Sequence, residues 1–185
     1  MKTIEIERKF LVRDDAWQID APPPQTLLQG YLSCSGGNSV RVRIIGQTAA
    51  RLTIKTGRHG LAREEYEYAI PVEEARSLLS HAAGRIIEKQ RYRVAHDGAV
   101  WEVDVFGGAH RGLTIAEIEL SSEGDRPSLP RWLGREVTGD PQYSNRALAA
   151  GSCPEDRPGS AAQTQAAEAE HDAEARERLS GDISI

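Results

Sequence analysis

Six pairs of charged residues, each with one residue between its members, recur along this chain: Glu5/Glu7, Arg41/Arg43, Glu65/Glu67, Lys89/Arg91, Glu102/Asp104 and Glu117/Glu119. In an extended strand a one-residue gap puts both side chains on one face. Two charges of one sign at that spacing repel unless something of opposite sign lies between them. Clustered carboxylates suit hard divalent cations such as Mg²⁺ or Mn²⁺, which prefer oxygen ligands. Arg offers phosphate a planar two-point contact and Lys a point charge. An anion and a hard metal together point to a polyphosphate. Phosphoryl transfer needs mainly positioning and charge neutralisation, which such a set supplies. The plainer alternative is a solvated strand face, where assorted polar residues are expected instead of one-sign pairs.

The elements that carry these pairs alternate with period two. Candidate strands cover residues 3–13, 28–33, 40–45, 51–56, 63–70, 87–95, 99–106 and 113–120, separated by turn signals such as GGN at 36–38 and HDGA at 96–99. Opposite the charges lie apolar residues: Ile44 opposite Arg43, Val103 opposite Glu102, Ile118 opposite Glu117. Residues 71–83 break the pattern, with Val72, Ala75, Leu78, Leu79 and Ala82 at helical spacing behind Pro71. Short helices are predicted at 128–134 and 143–150. An eight-stranded barrel has room inside for side chains or one small ligand. With the charged faces turned inward and helices covering the outside, the predicted fold is mainly β (α+β), a barrel enclosing a charged tunnel.

Composition bounds this reading. Of 185 residues, 39% are hydrophobic and 28% charged, enough for a folded core. No apolar run approaches the roughly 18–20 residues that span a bilayer as a helix, so no membrane is expected as a partner. The alternating N-terminus does not resemble a signal peptide. Cys34 and Cys153 form no CxxC or Cys/His cluster, so a disulfide scaffold and a zinc finger are not expected, and a cytoplasmic location is. Residues 1–150 hold twenty basic and twenty acidic residues; residues 151–185 hold three and eight, the whole net charge of −5. A neutral body does not advertise a nucleic-acid surface. The expected domains are 1–150 and an acidic Ala/Glu-rich tail, 151–185, flexible or marginally helical.

Several blocks together carry a family resemblance. Glu5-Ile6-Glu7-Arg8-Lys9 forms an ExExK signature. Arg41-x-Arg43, Thr53-Ile54-Lys55, REEYE at 63–67, EKQRY at 88–92, WEVDVF at 101–106, GLTIAEIEL at 112–120 and YSNRALA at 143–149 follow in order. Over about residues 1–150 the chain resembles the CYTH superfamily, the triphosphate tunnel metalloenzymes, and most of all their short bacterial inorganic triphosphatases. The resemblance implies an eight-stranded antiparallel tunnel, a small-molecule triphosphate substrate and a divalent metal.

It also implies roles. Glu5, Glu7, Glu117 and Glu119 match the metal-coordinating carboxylates, with Asp104 and Glu102 nearby. Lys9, Arg41, Arg43, Lys55 and Arg91 match the phosphate-binding set, and Arg93 lies one pleat beyond. Glu65 and Glu67 are expected to orient the basic residues. Lys89 either activates or orients the attacking water with Tyr31, or binds phosphate; Tyr31 is divided between that role and packing. Ion pairing within strand faces is the alternative for the charged set. Trp17, Trp101 and Trp132 read as packing. The five histidines show no metal-site spacing, and Cys34 has no catalytic partner in sequence.

The leading expectation is hydrolysis of the terminal phosphate of inorganic triphosphate. A class IV-type adenylate cyclase, or a thiamine or nucleoside triphosphatase, would need a place for an organic group, and Tyr31 is the one clear inward aromatic. A non-catalytic polyphosphate-binding module would be expected to lose the carboxylates. A homodimer is compatible with all of these.

Overall fold

One stretch of backbone touches both ends of the sheet. The computed structural model describes residues 2–19, 21–56 and 63–151, with side chains for all but residues 2–5 and 63. Strand β1 (Lys2–Glu5) and strand β2 (Glu7–Val12) are separated only by Ile6. They are followed by β3 (Gln25–Ser35), β4 (Asn38–Ile45), β5 (Ala49–Thr56), β6 (Arg63–Ile70), helix α1 (Val72–Ser80), β7 (Ala83–His96), β8 (Ala99–Phe106), β9 (Thr114–Glu119), β10 (Leu133–Glu136) and helix α2 (Asn145–Ala149). The sheet order is β1-β6-β5-β4-β3-β7-β8-β9-β2-β10. Thus β1 pairs with β6 at one end while β2, one residue on, pairs with β9 at the other. Every pairing is antiparallel. The sheet therefore returns on itself as an eight-stranded tunnel, with β1 and β2 counting as one wall and β10 laid beside β2.

Two expectations are corrected. The predicted single strand at 3–13 divides at Ile6 because its halves find different partners, and Leu120 donates its N–H to the Ile6 carbonyl across that joint at 2.8 Å. The predicted helix at 128–134 does not form. Pro127 and Pro130 interrupt helical hydrogen bonding there, and residues 133–136 extend along β2 instead. The predicted strands at 28–33 and 87–95 lengthen into β3 and β7.

The strands put opposite parities to opposite uses. The outward residues Val42, Ile44, Ala50 and Ile86 pack under Ala75 and Leu79 of α1. Gly30 makes that contact possible: a Cβ there would lie 2.8 Å from the Ala82 Cβ. On the other side Phe10, Val94, Trp101, Val103 and Ile118 form a second cluster with Trp17 and Trp132. Trp101 meets Phe10 and Trp132 edge to face at 5.7 and 6.0 Å, a preferred aromatic geometry. A third cluster fills one end of the tunnel. Tyr31, Ile87, Phe106 and Ile115 meet Val137, Tyr143, Leu148 and Ala149 from the C-terminal turn and α2. The tunnel is thereby blind at that end. Among the described residues no helix is long and apolar enough to cross a membrane.

Candidate active site

Above the apolar plug the inward faces carry charge. A cavity of about 400 Å³ is lined by Glu7 and Lys9 of β2, Arg41 and Arg43 of β4, Lys55 of β5, Glu65 and Glu67 of β6, Arg91 and Arg93 of β7, Val100 and Glu102 of β8, Glu117 and Glu119 of β9, and Asn145 of α2. Twelve of the sixteen residues singled out in the sequence therefore share one wall. Register explains the grouping, since Glu7 lies across from Glu119, Lys9 and Glu102 both across from Glu117, and Lys55 across from Glu65.

Four of the sixteen are placed otherwise. The side chain of Glu5 lies outside the described residues. Lys89 and Asp104 are fully buried at the plug end, with Lys89 beside Asn145 and the Phe106 ring, and do not line the cavity. Tyr31 lies in the apolar plug, close enough to Arg43 for its phenol to bear on that guanidinium. Cys153, His59 and His171 lie outside the described residues, as does the tail beyond Gly151.

The ion pairs sort the site into two halves. Lys9 Nζ sits between Glu7 at 2.8 Å and Glu117 at 2.5 Å. Arg91 grips Asp104 with two bonds of 2.6 Å, reaches Glu117 at 3.1 Å and also binds Glu102. Lys89 Nζ donates to the second Asp104 oxygen and lies 3.5 Å from Asn145 Oδ1 and 5.3 Å from the Phe106 ring. Asp104 is thus taken up by two cations. In the other half, Arg41 donates to Thr53 Oγ1 at 3.2 Å, and Thr53 donates to Glu67 at 3.3 Å. Arg43 donates to Gln29 Oε1 at 3.1 Å, and Lys55 meets Glu65 at 2.9 Å.

Protonation follows from these neighbours. Burial opposes the Lys9 charge, but Glu117 and Glu7 hold its proton more firmly than in water. Burial likewise opposes charge on Arg91, and its bonds to Asp104 more than offset this. Burial works against ionised Glu117, yet Lys9, Lys89 and Arg91 keep its carboxyl well below the usual range. Arg43 is pushed down to about 10, by burial first and then by Arg41 and Arg91. Lys89 is pushed down to about 8, mainly by burial, against the pull of Asp104. Arg43 therefore feels its burial and the neighbouring Arg41 and Arg91 more than any carboxylate, and an anion beside it would relieve that.

Gln29, Thr53 and Asn145 belong to the site although their types alone did not mark them. Gln29 and Thr53 lie on the inward parity of their strands, so the alternation held the signal for both. Asn145 lies in the YSNRALA block, which carried the resemblance and the predicted helix at 143–150 but marked no single residue for the site. Trp17, Trp101 and Trp132 pack as expected. His110 is buried, with Nε2 3.1 Å from the Leu148 carbonyl.

The CYTH domain profile matches residues 3–147. The inorganic triphosphatase of Acetivibrio thermocellus is 46% identical over 145 residues, covering 78% of this chain and 92% of that one. The inorganic triphosphatase of Nitrosomonas europaea is 40% identical over 150 residues, covering 78% and 96%. Among solved structures, the inorganic triphosphatase NE1496 superposes with a TM-score of 0.57 at 37% identity, over 81% of this chain and 96% of that one. The PH1012 protein of Pyrococcus horikoshii, at 18% identity and a TM-score of 0.52, shares the fold. With the family profile matched over residues 3–147 and relatives 46% and 40% identical over most of its length, this chain belongs to the CYTH domain family.

Proposed function

We propose that the chain is a metal-dependent triphosphatase, cleaving inorganic triphosphate and water to pyrophosphate and phosphate inside the tunnel. The observation that carries this is the blind cavity, in which Arg41, Arg43, Lys55, Arg91 and Arg93 face Glu7, Glu102, Glu117 and Glu119. The 46% identical inorganic triphosphatase supports the substrate. Among the described lining residues there is no aromatic ring to stack on a base or a thiazole, which favours the inorganic substrate over a nucleotide or thiamine ester.

The basic residues bind and align the phosphate chain, and neutralising its charge is most of what this reaction asks of a protein. The Lys89 amine, protonated below about pH 8, lies at the blind end, suited to orient water and, once deprotonated, to activate it. Asp104 and Arg91 fix that amine in place. Glu65 and Glu67 steady Lys55 and the Thr53–Arg41 pair. Tyr31 supports Arg43 from the plug.

Glu7, Glu117, Glu119 and Glu102 would hold Mg²⁺ or Mn²⁺, with Glu5 two residues before Glu7. Their hard oxygens fit such ions. Among the described residues no three carboxylate, His or Cys side chains are gathered to hold a metal, because Lys9 and Arg91 lie between the carboxylates. Loading therefore requires these cations to turn toward substrate. A metal held there would supply positive charge to neutralise the phosphate chain. We take residues 1–150 as the catalytic unit, acting in the cytoplasm.

The test is incubation with Mg²⁺ or Mn²⁺ and, separately, inorganic triphosphate, ATP and thiamine triphosphate. Metal-dependent release of one phosphate, fastest from inorganic triphosphate and lost in Glu5→Gln/Glu7→Gln, is expected. Cyclic AMP with pyrophosphate would move the assignment to a cyclase. Triphosphate binding without turnover would leave a binding module.

A further inference from the structure

We propose that Asn145 is a positioning residue for this reaction, holding the Lys89 amine at the closed end of the tunnel from outside the barrel. The inference rests on the triphosphatase reading and adds a residue to it. Lys89 is 1% exposed and does not line the cavity. Asn145 does line it, and its Oδ1 is 3.5 Å from Lys89 Nζ. Among the described residues on the cavity wall, Asn145 alone comes from outside the barrel strands. It therefore stands between the buried amine and the space a phosphate chain would fill.

A carboxamide suits that place. Its oxygen accepts from the amine while its two N–H groups remain able to donate to phosphate oxygens. A carboxylate there would repel the substrate, and an apolar side chain would leave the amine held by Asp104 alone. The position is also rigid. Leu148 and Ala149, 0% and 2% exposed, anchor its turn in the plug beside Ile87 and Tyr31. A supporting group on a packed element keeps its partner within the narrow geometry catalysis needs.

The test compares Asn145→Ala, Asn145→Asp and Ser144→Ala in the full chain, with Mg²⁺ and inorganic triphosphate. Asn145→Ala is expected to lower kcat by about 10–100-fold, the scale of a displaced catalytic group, with KM nearly unchanged. Asn145→Asp is expected to raise KM by repulsion. Ser144→Ala removes only the hydrogen bond to the Ala147 N–H at 3.1 Å and, with Leu148 and Ala149 still anchoring the turn in the plug, is expected to keep wild-type kcat. In lysine-labelled protein the Lys89 Nζ resonance, assigned by its loss in Lys89→Arg, should move in Asn145→Ala and stay in Ser144→Ala. Unchanged kcat in Asn145→Ala, an unmoved resonance, or equal loss in Ser144→Ala would each overturn the proposal. A wild-type chain that hydrolyses no triphosphate would sink the triphosphatase reading, while the resonance would still decide whether Asn145 holds the amine.

Discussion

Lys89 is the residue whose charge the site controls most closely. Burial pushes its ammonium down to about 8 from an ordinary 10.5, so the amine becomes the main form as pH rises through about 8. For a group acting as the amine, kcat/KM for inorganic triphosphate should therefore rise with pH through that region. Asp104 opposes the fall, so Asp104→Asn should move the rising limb to lower pH. Both are read from pH–rate profiles, and a profile that declines across pH 7–9 would contradict the assignment. Arg91 answers three carboxylates, Glu102, Asp104 and Glu117. Arg91→Met leaves Asp104 buried with only Lys89 for a counter-charge. Breaking a buried pair this way should cost about 3–5 kcal/mol in a urea titration.

At the scale of elements, two glycines set how closely helices approach strands. Gly84, at the start of β7, has φ +78°, and a Cβ there would lie 2.4 Å from the Ala149 carbonyl oxygen at the end of α2. Gly84→Ala combines left-handed strain with a backbone clash and should cost about 2–4 kcal/mol, lowering the thermal midpoint. Gly30→Ala overpacks the α1 face and should cost about 1–3 kcal/mol in the same assay. Strand content was legible because a wall with a charged inside and an apolar outside leaves a period-two record in every strand. That record also sorted Glu7, Arg41, Arg91 and Glu117 onto one face. It could not show that Lys89 and Asp104 are buried at the plug end, because depth along a tunnel depends on strand tilt and on what plugs the end. Tyr31 illustrates this: its parity is inward, but it lies below the charged zone. Strand β10 went unread because a proline-rich aperiodic segment takes its conformation from the surface it covers, whereas the predicted helix at 143–150 forms as α2.

The whole molecule depends on Ile6 joining the two ends of the sheet. Deleting residues 1–6 removes β1, leaves β6 an open edge and opens one wall of the tunnel. Unpaired edges invite pairing between chains. The shortened chain should bind triphosphate more weakly by calorimetry and associate with rising concentration in sedimentation. Unchanged affinity and a single concentration-independent species would show that the closure at β1 is dispensable. The same seam has a consequence for synthesis. Lys9 pairs with Glu117, 108 residues later, and Arg8 with Glu136, 128 residues later. At about 5–20 residues per second a ribosome needs roughly 5–25 s between making one side of the seam and the other. Through that interval β2, residues 7–12, waits as an unpaired strand, and Glu7, Arg8 and Lys9 keep the waiting edge from pairing with a neighbour on the same message.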